Sequence, residues 1–206
     1  MESSPETALS LPPHRAVAET AAEILEHYEA SAEACELLTD GMPPAEFLDR
    51  LREQELHEDA ITFLAYALGK REALWWGLRC VREGLGEEEP AETIQGAVDA
   101  VQAWVDEPGE DARYAAFHAA EAATYESPAG CLALAVFFNE GSMAPADCPA
   151  VPVDEWFCAR TLAASIHVGY LGGDPKEAPE MAKRFLELGL ETATQPAPWE
   201  SEQPGA

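Results

Sequence analysis

Apolar residues recur every three or four positions along almost the whole chain, and no long stretch alternates apolar with polar. That spacing puts the apolar side chains on one face of a helix, whereas a strand needs a period of two. Val17, Ala21, Ile24, Leu25, Tyr28, Ala32, Cys35 and Leu38 keep the helical spacing, with glutamates on the other faces, and predict a helix from about Arg15 to Leu38. Proline and glycine punctuate the rest of the chain. Further helices are expected at about 44–54, 58–68, 70–84, 91–106, 111–125, 128–138, 154–170 and 178–190. Ser127-Pro128 is a clear start, an N-cap followed by proline at the first helical position. The chain therefore reads as all-α, a single-domain bundle of about nine helices. Short connections make neighbours antiparallel, and stacked helical hairpins are one arrangement open to it.

The helical rhythm fails in three places. Residues 1–13 read as a disordered lead, and residues 191–206 as a disordered acidic, proline-rich tail, which leaves 14–190 as the helical domain. Between helices seven and eight, Asn139–Val153 carries prolines at 145, 149 and 152 and is expected to follow an extended, polyproline-like crossover. Long irregular loops inside compact domains are often functional, although many only connect two halves of a bundle.

Charge narrows the function. Asp and Glu number 39 against 12 Lys and Arg, a formal net charge of -27. Such a surface repels phosphate, which argues against nucleic acid and anionic membranes as partners. It suits either solvation in a salty cytoplasm or docking of a partner with a basic surface. A stability that does not rise with salt would remove the first reading. The opening residues lack a secretory leader's basic start and apolar run, no stretch nears a membrane span, and the five cysteines are odd in number and scattered. A cytoplasmic protein with reduced thiols is expected.

Catalytic and metal motifs are hard to find. Histidines 14, 27, 57, 118 and 167 show neither the His-Glu-x-x-His nor the Glu-x-x-His spacing. The cysteines make no zinc knuckle, and the glycines no phosphate loop. Glu23 with His27, and Glu55 with Asp59 around His57, are spaced as ordinary helix-surface pairs. His118 and His167 lie in Ala-rich helices that suit buried, hydrogen-bonded imidazoles. No cofactor or metal is expected.

Helix four carries the most information. Leu74, Gly77, Leu78, Val81 and Leu85 form its stripe, Trp75 flanks it, and Trp76 points nearly opposite. Either this helix is covered on two sides or Trp76 faces a partner. Gly77 and Gly84 would allow close approach of a neighbour. Lys70, Arg71 and Glu72 are placed to orient the tryptophans through ion pairs along the helix face. Trp199, in Pro196-Ala-Pro-Trp-Glu200, is a lone aromatic in a polar tail, suited to a short docking motif.

Several segments together resemble a known family: Gly41-Met-Pro-Pro-Ala-Glu-Phe-Leu-Asp49, Asp59–Leu68, and Lys70-Arg-Glu-Ala-Leu-Trp-Trp76, then Ala103-Trp-Val105, Ser127-Pro128, Gly141-Ser-Met-Ala-Pro145 and Arg184–Leu190. The family is a bacterial, all-helical one of unknown function, and the likeness spans about residues 35 to 190. Its most specific piece is Arg-Glu-Ala-x-Trp-Trp. The resemblance implies an all-helical bacterial cytoplasmic protein with no assigned activity, associated with type VI secretion-type gene clusters. The expectation is a non-enzymatic interaction or adaptor module, a secretion-system accessory that binds another protein through Trp76, Met143, Pro145 and Trp199. The alternative is an enzyme or small-ligand binder with a site between helices lined by Trp75, His118 or His167.

Overall fold

The computed structural model describes residues 9–86, 89–144 and 148–200. Among them are ten α-helices: α1 (Ala21–Leu25), α2 (Ala32–Leu37), α3 (Pro44–Glu53), α4 (His57–Ala67), α5 (Lys70–Leu85), α6 (Glu92–Asp106), α7 (Glu110–Ala123), α8 (Pro128–Phe137), α9 (Phe157–Leu171) and α10 (Ala178–Thr194). Two single-turn 3-10 helices, Pro13–Arg15 and Pro198–Glu200, flank them. Strand-type pairing is limited, among the described residues, to isolated bridges at Ala16–Leu68 and Ser142–Pro152. No helix among these residues is long and apolar enough to cross a membrane.

Eight of the expected helices appear within a few residues of their expected ends. The first differs, because it is two short helices. Ser31 accepts a hydrogen bond from the Ala34 amide and so starts α2, while Asp59 of α4 binds both the Ser31 amide and its hydroxyl. A side chain from a distant helix thus supplies bonds that a continuous helix would have made itself. Upstream, the Val17 amide donates to Ala67 O, so residues 16–17 run along the end of α4.

Residues 9–13 and 191–200, expected within the disordered lead and tail, pack on the body. Leu11 is buried, and Arg52 donates to Leu9 O. At the other end α10 continues to Thr194, past the expected limit of 190, and residues 195–200 turn back onto α5. Between α5 and α6, residues 87 and 88 lie outside the described residues.

Helices α6 to α9 pack as successive antiparallel neighbours, and α5 lies against α6, α8, α9 and α10. Helix α10 closes the body by packing on both α4 and α5. Trp76 is fully buried, and its indole Nε1 donates to Phe185 O of α10 at 2.7 Å. The indole fits because position 189 is glycine: a Cβ there would lie 2.5 Å from Leu64 Cδ2 and 2.8 Å from Trp76 Cε2. Gly77 does the same on the far side, where a Cβ would meet Leu162 Cδ1 at 2.4 Å and Leu132 Cδ1 at 2.7 Å. Gly84, by contrast, has ordinary clearance, with Phe185 3.6 Å from where a Cβ would sit.

Replacing Gly189 by Ala should destabilise the fold by roughly 1–3 kcal/mol, the usual effect of overfilling a packed core. Gly96, exposed in α6 with open space around it, should do the reverse, gaining up to about 1 kcal/mol on replacement by Ala. Urea unfolding of the two variants checks both signs.

Candidate functional site

The four residues expected to bind a partner are not brought together. Trp76 is core, and its exposed-anchor reading is corrected by its complete burial between α5 and α10. Met143 is about one-third exposed on the α8–α9 crossover, where its amide donates to Val151 O at 2.8 Å. The base of that crossover is stitched to the body: Lys70 Nζ donates to Asn139 O, Arg113 to Ser142 O and Tyr114 Oη to Ala144 O. Pro145 lies outside the described residues. Trp199 is docked on the body rather than carried on a free tail, with its ring 5.6 Å from that of Trp75 in edge-to-face contact. The guanidinium of Arg71 lies over it at 4.2 Å.

The basic residues before the tryptophans do something other than pair along their own helix. Arg71 donates to Val105 O and Asp106 O and so closes the C-terminal end of α6. Glu72 pairs with Arg15, which also holds Glu200. Arg79, one turn past Trp75, donates to Leu188 O and Thr192 Oγ1 and pairs with Glu191. Arg71, Trp75 and Arg79 form the half-buried stripe of α5, and the segment after α10 covers its upper part.

The histidines of the alternative reading separate. His118 is exposed on α7, with Glu121 3.4 Å from its Nδ1 and the Phe117 ring beside it. It is not the buried imidazole that its Ala-rich helix suggested. His167 is half-buried on α9 beside a cleft of about 450 Å³ lined by Tyr28, Glu58, Thr62, Tyr66 and Arg160. Both its ring nitrogens are engaged, one with Thr62 Oγ1 and one with Tyr170 Oη, each at 2.9 Å. Burial lowers its pKa, against smaller opposing effects of Glu58 and Asp59. Nearby, Trp156 lies between His27 and Tyr66, stacked on both, and pins the start of α9 to α4. Burial holds the Cys80 and Cys158 thiols up, Cys158 to about 12, so neither is a ready nucleophile. Among the described residues no three His, Cys, Asp or Glu side chains converge as metal ligands.

A larger cleft lies elsewhere, between the N-terminal segment, the end of α3 and the start of α10. It measures about 590 Å³ and has Leu9, Pro179 and Leu186 among its apolar lining. Asp49, Glu53, Glu55, Glu180 and Glu187 line it, against the cations Arg52 and Lys183. Arg52 is already bound to Asp49 and to Leu9 O. Two of these carboxylates sit where local physics disfavours them. Glu53 and Glu55 stand at the C-terminal end of α3, where the helix's own partial charge is negative. Glu55 also adopts φ 57°, the left-handed conformation that normally selects glycine at a helix end. The signal in the sequence is faint, because Glu53 and Glu55 follow Arg50 and Arg52, the bases that a helix end usually carries, and do not stand out among so many other acids.

The molecule thus belongs to the class of all-helical bundle proteins. The chain is a member of the DUF6931 family, a family of unknown function, whose model matches residues 47–193. No curated protein and no solved structure matches it.

The depressed pKa of His167 sets a pH dependence. The unfolded chain takes up a proton at about pH 6.5, before the folded one does. The stabilisation is therefore complete above about 6.5 and is lost as pH falls through the folded value. His167→Gln should flatten that part of a stability–pH profile measured by thermal unfolding. An unchanged slope would contradict the assignment.

Proposed function

We propose that the protein is a non-enzymatic interaction module that receives a basic segment of a partner protein in the cleft between α3 and α10. The observation that carries this reading is Glu55, a glutamate held in the left-handed conformation on the rim of an acidic cleft with an apolar floor. A carboxylate kept where glycine is less strained, and beside the wrong end of a helix, points to a role other than stability. A lysine- or arginine-bearing segment would find its charges met by Glu53, Glu55 and Glu180, and its aliphatic stems met by Leu9 and Leu186. The family resemblance supports placing this module among bacterial cytoplasmic accessory proteins of type VI secretion-type clusters. A pull-down from native lysate of the source, read by mass spectrometry, tests that placement: recovery of no secretion component would count against it.

The cleft makes two opposed predictions. Changing Glu53, Glu55 and Glu180 together to Gln should weaken binding of an alternating Lys-Leu peptide at least tenfold at low salt. The wild-type affinity should also fall as salt rises, because exposed charges are screened. Glu55→Gly should stabilise the fold by about 0.5–1 kcal/mol, because left-handed backbone costs glycine little, while weakening the same peptide. Isothermal titration and urea unfolding read the two effects. Equal peptide affinity for wild type and the triple variant would sink the proposal.

A further inference from the structure

In a chain with net charge -27, three guanidinium groups gather on one face. Arg71 and Arg79 lie four residues either side of Trp75 on α5, and Arg15 joins them from the N-terminal 3-10 helix. Tryptophan and arginine together are the composition most enriched at the energetic centres of protein interfaces. Here the face is already occupied. Ala197 is buried, Trp199 meets Trp75 edge to face beneath the Arg71 guanidinium, and Glu200 pairs with Arg15. Glu200 Oε2 also accepts from the Ala197 amide, and its own amide donates to Ala197 O. Residues 197–200 therefore form a self-closed turn that presents one small apolar group, one indole and one carboxylate to the face.

Two observations separate this occupant from the body it covers. The contacts that close α10 onto α4 and α5 run through Phe185, Leu188, Gly189 and Thr192, all before the segment begins. The family match takes in Arg71, Trp75 and Arg79 and stops at residue 193, so the α5 part of the face lies within the family pattern, while the cover and Arg15 lie outside it.

We propose that the Arg15–Arg71–Trp75 face is a peptide-docking site for a partner segment in which a tryptophan is followed by an acidic residue, and that Ala197–Glu200 holds it as an internal ligand. The partner segment displaces the internal one and makes the same contacts: its indole against Trp75 under Arg71, its carboxylate on Arg15. The polarity is opposite to that of the acidic cleft, so the site stands independently of the proposal made for that cleft.

The test uses a fluorescein-labelled peptide of residues 195–200, its Trp→Ala and Glu→Gln versions, and the chain ended after Thr194. Fluorescence anisotropy should show saturable binding to the shortened chain, at least tenfold tighter than to the full chain. Arg71→Ala in the shortened chain should reduce it at least tenfold, as should either peptide change. Circular dichroism establishes that the shortened chain is folded. If it is not, the full chain carrying Trp199→Ala and Glu200→Gln opens the same face and takes its place. Absence of saturable binding to the opened, folded protein overturns the proposal, and so does binding indifferent to Arg71→Ala. Sedimentation of the full chain decides against a second copy as the occupant: a dimer that disappears with Trp199→Ala would overturn the partner reading in favour of segment exchange.

Discussion

The fold depends on one indole lying where a side chain is missing. Trp76 fills the space over Gly189, and the bond from its Nε1 to Phe185 O gives the buried polar atom a partner that a helix carbonyl can spare. Neither residue works without the other. A methyl at 189 would collide with the ring, and a smaller residue at 76 would leave a cavity between α5 and α10. Once this contact is made, α5 is covered by α10 on one side and, through Gly77, by α8 and α9 on the other. The half-buried stripe that remains carries Arg71, Trp75 and Arg79, which is why the polar functions of α5 concentrate there.

The scarce cations follow a second rule. Arg50, Arg52, Lys70, Arg71, Arg79 and Arg113 each donate to a main-chain carbonyl, at Leu37, Leu9, Asn139, Val105, Leu188 and Phe137 respectively. Several of these carbonyls lie at or just beyond helix ends, where no amide is available within the helix. Arg113 is the extreme case, almost fully buried, bidentate to Glu110 and resting on Phe137. Half of the basic side chains thus tie one element to another. Arg50, Arg52, Arg79 and Arg113 also pair with Glu46, Asp49, Glu191 and Glu110 while they do so, and the remaining acidity follows from 39 carboxylates against 12 bases.

The helices were legible because their apolar spacing and their proline and glycine ends are local signals. The break between α1 and α2 was not, because its cause is Asp59, a side chain 28 residues beyond Ser31. The same holds for Trp199. Nothing in Pro-Ala-Pro-Trp-Glu tells a free motif from a docked one, since the difference lies in Arg71, Trp75 and Arg15, which only the fold brings to it. Periodicity placed Trp76 opposite the apolar stripe but did not say whether that side was covered, and the glycine that decides it is in another helix. The acidic cleft was missed for a different reason. Its strongest sign, acids at the end of α3, was present in the sequence, but the partners from α10 that make it a cleft are more than 120 residues away.

Helix α10 joins the two faces. Its first turns carry Pro179, Glu180, Lys183, Leu186 and Glu187 into the acidic cleft, and its last turns hold Arg79 through Leu188, Glu191 and Thr192 before the chain runs on to Trp199. A helix rises about 1.5 Å per residue, so Glu180 and Glu191 are roughly 16 Å apart along one rigid rod. That rod is fixed to α4 and α5 by the packing of Trp76 on Gly189. The acidic and the guanidinium–indole faces therefore keep a set separation and orientation. A partner with a basic segment and an aromatic–acidic one would meet both only if its own spacing matched. On the proposed reading of the two faces, selectivity would come from that fixed geometry, because charge alone would attract any basic protein.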